Sequence, residues 1–150
     1  MKSRLLAAAV LLSAAGAGCT NMFGETRTAP SNVTPEMLGG SWASVATETK
    51  LPSTCTKFVW NVTNVTDQTA TGTFSATCQG DVLIAGTATG TLADKTLTWS
   101  ATATALAPAD PDCEVSLSGS GTFEGFQMRS PFSGTTCAGD VSGAEILRKP

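Results

Sequence analysis

The chain contains no histidine and no tyrosine. Without imidazole there is no Ser-His-Asp or Cys-His nucleophilic arrangement, and the commonest side-chain metal ligand is missing. Charge is sparse: Asp, Glu, Lys and Arg make up 14% of the residues, and 9 basic groups face 12 acidic ones. That balance offers no basic surface for phosphates and excludes nucleic acid as a partner. Long apolar runs are missing too. The run Leu5 to Leu12 is too short to cross a bilayer. Beyond it, no segment repeats apolar residues at helical spacing. With no nucleophile motif and no metal-ligand spacing, the expectation is a non-enzymatic protein with no cofactor and no metal.

What the chain does have begins at its N-terminus. Lys2 and Arg4 precede the apolar run Leu5 to Leu12, and small residues follow, which is the layout of a secretory signal. Gly16-Ala17-Gly18-Cys19 resembles the lipobox of bacterial lipoproteins. The resemblance implies that residues 1–18 are removed, that Cys19 is diacylated, and that acyl chains on Cys19 hold the protein to a membrane. Thr20 after the cysteine, by resemblance to enterobacterial sorting, implies the outer membrane, on its periplasmic or surface face. The alternative is an ordinary signal peptide cleaved near Ala17 or Gly18, leaving a free thiol.

Cysteine arithmetic agrees with lipidation. Setting Cys19 aside leaves Cys55, Cys78, Cys113 and Cys137, an even number that reads as two disulfides in an exported chain. Losing Lys2 and Arg4 leaves seven basic against twelve acidic residues, a formal charge of −5. Electrostatic binding to anionic lipid is therefore not expected, and several acyl chains would anchor where charge does not. Residues 19–35 are polar, contain two prolines and show no periodicity, so they read as a lipidated N-terminus and flexible tether. Residues 36–150 are the size of one domain.

That domain alternates plainly. Leu97, Trp99, Ala101, Ala103 and Ala105 interleave with Thr96, Thr98, Ser100, Thr102 and Thr104. Period two with one apolar face is a half-buried strand, and β-branched threonine suits the solvated face. Eight strands are predicted, near 40–48, 56–65, 69–78, 82–92, 96–105, 114–123, 126–136 and 141–149. Most connections are two or three turn-forming residues, including Asp67-Gln68, Asp94-Lys95 and Glu124-Gly125, so consecutive strands are antiparallel neighbours.

The chain also repeats. Trp42 lies 57 residues before Trp99, Cys55 lies 58 before Cys113, and Cys78 lies 59 before Cys137. Phe74-Ser-Ala-Thr-Cys-Gln-Gly-Asp-Val82 returns as Phe132-Ser-Gly-Thr-Thr-Cys-Ala-Gly-Asp-Val141. Two four-stranded units that close on each other remove their open edges as an eight-stranded antiparallel up-and-down barrel. A two-sheet sandwich is the alternative. In such a meander the start of one strand lies beside the end of the next. Cys55 therefore pairs with Cys78, and Cys113 with Cys137. Strict opposition of the cysteines mismatches the apolar faces, so a slip or bulge is expected beside Cys55 and Cys113. That slip sets Trp60 against Phe74 and Leu117 against Phe132.

Trp42, Phe58, Trp60, Phe74, Trp99 and Phe132 are the candidate core or ligand-lining residues, and Phe123 and Phe126 belong to the same aromatic set. An eight-stranded interior either fills with side chains or holds one small ligand. The inward small residues, Gly90, Ala101, Gly119 and Gly121 among them, fit either outcome. Asp67, Asp81, Asp94 and Asp140 follow turn positions and read as turn chemistry. Asp110, Asp112 and Glu114 read as a solvated loop.

Gly40-Ser41-Trp42 on the first strand resembles the Gly-x-Trp of calycins, the lipocalin and avidin group, and Arg148 stands where lipocalins carry a basic residue over that tryptophan. The resemblance implies the barrel, and either a small apolar ligand or, as in bacterial protease inhibitors of this architecture, a protein partner. The leading expectation is an envelope lipoprotein that binds a small apolar ligand or lipid. The alternative is a structural or interaction lipoprotein with a filled core that binds an envelope protein.

Overall fold

The computed structural model describes residues 32–48, 53–79, 81–106, 109 and 112–150. The expected signal segment, Cys19, and the expected tether as far as residue 31 lie outside the described residues. A 3-10 turn, Pro35–Leu38, leads into eight strands: β1 (Gly40–Thr47), β2 (Cys55–Thr66), β3 (Thr69–Cys78), β4 (Val82–Ala93), β5 (Thr96–Ala105), β6 (Glu114–Glu124), β7 (Gln127–Thr136) and β8 (Gly139–Arg148). Each pairs antiparallel with the next, and β8 returns to β1 to close a barrel. Closure leaves no place for the two-sheet alternative.

Local chemistry explains the hairpins. Asp67, Asp94 and Gly125 adopt φ of 51°, 54° and 66°. These are the left-handed values that two-residue hairpin loops demand and that Asp and Gly supply at little steric cost. The third turn is Gly125-Phe126 rather than Glu124-Gly125, because glycine takes the left-handed position. Phe126 consequently sits at a turn tip, 38% exposed, and not on the inner face.

Along β5 the alternation is complete: Leu97, Trp99, Ala101, Ala103 and Ala105 are buried, and Thr98, Ser100, Thr102 and Thr104 are exposed. The two disulfides are Cys55–Cys78 and Cys113–Cys137. Cys55 lies opposite Cys78. The register then shifts between Thr56 and Val59, which sets Trp60 against Phe74. In the second hairpin Cys113 precedes the ladder, and the slip runs opposite to expectation. Leu117 meets Gly134, and Phe132 meets Gly119. The reason is volume. A Cβ on Gly134 would lie 2.7 Å from the Leu117 side chain, and one on Gly119 would lie 2.9 Å from the Trp99 ring. Each bulky group needs a glycine opposite it, so two bulky groups do not face each other.

Rings from four walls meet inside. Phe58 on β2 contacts Phe74 on β3 at 5.2 Å, Phe132 on β7 at 4.8 Å and Trp99 on β5 at 6.1 Å between centroids. The Phe74 and Trp99 contacts are edge-to-face, a geometry that adds about 0.5–1.5 kcal/mol per pair beyond area burial. Phe58→Ala is expected to destabilise by about 3–5 kcal/mol in urea titration, because the ring sits at the centre of this packing. Leu83→Thr, on the exposed face of β4, is expected to stay within about 0.5 kcal/mol of the parent.

Candidate functional site

All six candidate aromatics are buried, with exposures between 1% for Phe58 and 7% for Trp99. Four of them, Phe58, Trp60, Phe74 and Trp99, line the internal void together with Ala88, Met128 and Leu147. Trp42 and Phe132 do not reach it. The void measures about 10 Å³. A single water molecule needs roughly 10–15 Å³. The inward glycines do not open a chamber, because large side chains occupy the room they leave. The Trp60 ring would meet a Cβ on Gly90 at 3.0 Å, and Met128 lies over Gly121.

Contacts hold residues across each end of the barrel. At one end Leu38 of the 3-10 turn is wholly buried, and Trp42 Nε1–H donates to its carbonyl at 2.8 Å. At the other end Thr136 Oγ1 of β7 lies 3.2 Å from Gln79 Oε1, in the turn after β3 on the opposite wall. The Gln79 N–H donates to the Thr54 carbonyl at 3.1 Å.

The basic group over Trp42 is Lys149 and not Arg148. Lys149 Nζ lies 5.4 Å from the ring centroid, whereas Arg148 is exposed on the outer face. Alternation decides this: Leu147 points in, Arg148 out, and the next side chain returns inward. Desolvation lowers the Lys149 pKa below the ordinary lysine value. The repeat-related tryptophans are used differently. Trp42 caps the 3-10 turn, while Trp99 Nε1–H donates to Ser130 Oγ at 2.8 Å inside the barrel.

One buried group escaped the reading of the sequence. Glu145 has no exposed surface, and among the described residues neither carboxyl oxygen has a hydrogen-bond partner. It stands on β8 opposite Ser130 of β7 and Thr47 of β1. Burial raises its pKa above the ordinary glutamate value. The nearby Ser44 and Thr47 hydroxyls and the Lys57 N–H pull the other way, and less strongly. The signal was available in the period-two frame of β8, where Val141, Gly143, Glu145 and Leu147 share the inner face. Trp60 Nε1 is the other buried group without a partner among the described residues.

The outer wall is hydroxylated. Thr71, Thr89, Ser100, Ser118, Ser133 and Ser142 stand side by side across six strands. A wall that is polar outside and apolar inside is the reverse of a barrel that faces lipid. Asp67, Asp81 and Asp94 all adopt positive φ, as turn residues do. Among the described residues no three His, Cys, Asp or Glu side chains gather to hold a metal ion, and no helix is long and apolar enough to cross a membrane.

These features define a closed, filled, disulfide-stapled up-and-down β-barrel with a hydrophilic outer wall. No family model, curated protein or solved structure matches the chain.

The buried acid predicts a pH dependence. A glutamate whose folded pKa is raised adds no penalty below its unfolded value, about 4.3. Stability then falls as pH rises from there toward the folded pKa, and levels off above it. Glu145→Gln is therefore expected to match the parent near pH 4 and to exceed it in urea midpoint at pH 7–8.

Proposed function

We propose that this chain is a non-enzymatic envelope lipoprotein, anchored through acyl chains on Cys19, that acts through its outer surface on an envelope protein partner. The observation that carries this reading is the filled interior. The void among Phe58, Trp60, Phe74 and Trp99 holds only about 10 Å³, whereas the outer wall of β4–β7 carries an open depression of about 600 Å³. Thr87, Thr102, Thr104, Ser116, Thr135 and Glu114 line that depression. Its hydroxyls and single carboxylate suit hydrogen bonding to a polar protein surface. The two disulfides fit an oxidising compartment such as the periplasm. The calycin resemblance supports the same reading through Gly40-Ser41-Trp42 and a cation over that tryptophan, here Lys149.

A second reading, a module for a small apolar ligand or lipid, is favoured by one observation. Four of the residues expected to line a pocket do surround the residual void. For a ligand to enter, Trp60 or Met128 must leave its place in the core.

Two measurements test the proposal. Native mass spectrometry of the protein from a periplasm is expected to give the bare mass less about four hydrogens for two disulfides. An added non-covalent mass, released on denaturation, supports the ligand reading and overturns the filled-barrel one. Cys19→Ala is expected to move the protein from the membrane fraction to the soluble periplasm. Unchanged fractionation refutes the anchor.

A further inference from the structure

Four irregularities fall on one patch of barrel wall. The β1–β2 ladder holds Gly40–Ala43 against Val59–Val62 and goes no further. β1 shifts register against β8 between Ser44 and Ala46. β2 shifts against β3 between Thr56 and Val59, and Lys57, inside that bulge, is forced to φ 55°. The fourth is Glu145, wholly buried beside Ser44, Thr47 and the Lys57 N–H. Past the end of the ladder a side chain does the closing: the Phe58 N–H donates to Ser44 Oγ at 2.8 Å. A strained, non-glycine backbone and an unpartnered buried carboxyl at one break in the wall are a functional pattern more than a packing one.

We propose that Glu145 is a proton-operated latch on the β1–β2 seam: as the neutral acid it keeps Ser44–Thr47 docked, and on ionisation it releases that half-strand to water.

The chemistry follows from the surroundings. A neutral carboxyl is tolerated in an apolar interior, and its single proton can be donated to a neighbouring hydroxyl. A carboxylate there must be paired or hydrated. Among the described residues no cation serves as the pair. The charged residues on the elements around it are Glu48 after β1, Lys57 on β2, Arg129 on β7 and Asp140 and Arg148 on β8, all exposed, and Lys149 after β8, whose ammonium lies over the Trp42 ring. Arg129 is already engaged, 2.8 Å from Glu48. Hydration therefore requires the wall to open. The β7–β8 side is an unbroken ladder from Gln127↔Arg148 to Thr136↔Gly139, so water enters on the β1 side, where the ladder is missing. In the open state the carboxyl titrates as an ordinary glutamate, near about 4.3. Between that value and the higher closed-state midpoint, each pH unit multiplies the opening constant about tenfold. Above the closed-state midpoint the opening constant is flat.

The test is hydrogen–deuterium exchange of the full mature chain in detergent at pH 5 to 9, with each amide corrected for its intrinsic rate. In the parent, protection at Ala46, Glu48 and Phe58 is expected to fall by up to about tenfold per pH unit and then level off. In Glu145→Gln those amides are expected to stay protected at every pH. Amides of Thr102 and Ala103 on β5 are expected to stay protected in both proteins. Identical pH profiles in parent and variant overturn the proposal, as does loss of β5 protection in step with β1. Carbon NMR titration of the Glu145 carboxyl in the parent stands independently of the variant's folding. A midpoint at the ordinary glutamate value also overturns the latch.

Discussion

Closure of the sheet is the constraint on which the rest depends. Once β8 pairs with β1 the barrel has no free edge, and its circumference sets a fixed interior cross-section. Everything inside must fit that section without large voids. Trp60, Trp99, Phe58 and Phe132 are too large to share it evenly, so glycines stand opposite or beside them. Gly90 makes room for Trp60, and Gly119 for Trp99. The frequency of Gly and Thr in one chain follows from this geometry. The inner face alternates large with very small, and the outer face is left to residues that favour extended backbone and meet water through a hydroxyl.

Closure is also uneven. Seven of the eight joints join strands adjacent in sequence, and most of those are tight hairpins. The β1–β8 joint brings together the two ends of the domain, and β1 pairs over only four positions on each side. The irregular groups collect around β1 and the start of β2: the bulges, the left-handed Lys57, the Ser44 side chain capping a strand amide, and the buried Glu145. Along β3–β4, β4–β5, β5–β6 and β7–β8 the ladders run without a break. Between β1 and β2 a side chain replaces backbone pairing beyond Ala43, and side-chain chemistry responds to pH where a backbone ladder does not. A filled barrel with a hydroxylated wall and one labile joint has its reactive features on and just under the surface, which is the setting in which an interaction role is proposed.

Much of this was legible in the sequence because it is local. Alternation within each strand, Asp and Gly at the turns, and an even set of cysteines at strand ends led directly to eight strands, a closed meander and both disulfides. The Trp60–Phe74 register was also legible, since it follows from matching two apolar faces across one short turn. The register of the second hairpin was not. Matching Leu117 with Phe132 treats two neighbouring strands as an isolated pair, whereas Trp99 from β5 already fills the space beside Gly119. Lys149 in place of Arg148 is a failure of the same kind, by one residue of phase at a strand end.

By itself the sequence determined the period, the strand order and the pairing of the cysteines, because each is set by residues within one hairpin of each other. Only the tertiary structure decided that the rings leave a void of just about 10 Å³ between them, and that a glutamate lies inside without a hydrogen-bond partner among the described residues. Those outcomes depend on how side chains from β1, β2, β5, β7 and β8 divide a single cross-section. No stretch of chain contains the radius of the barrel it will help to close.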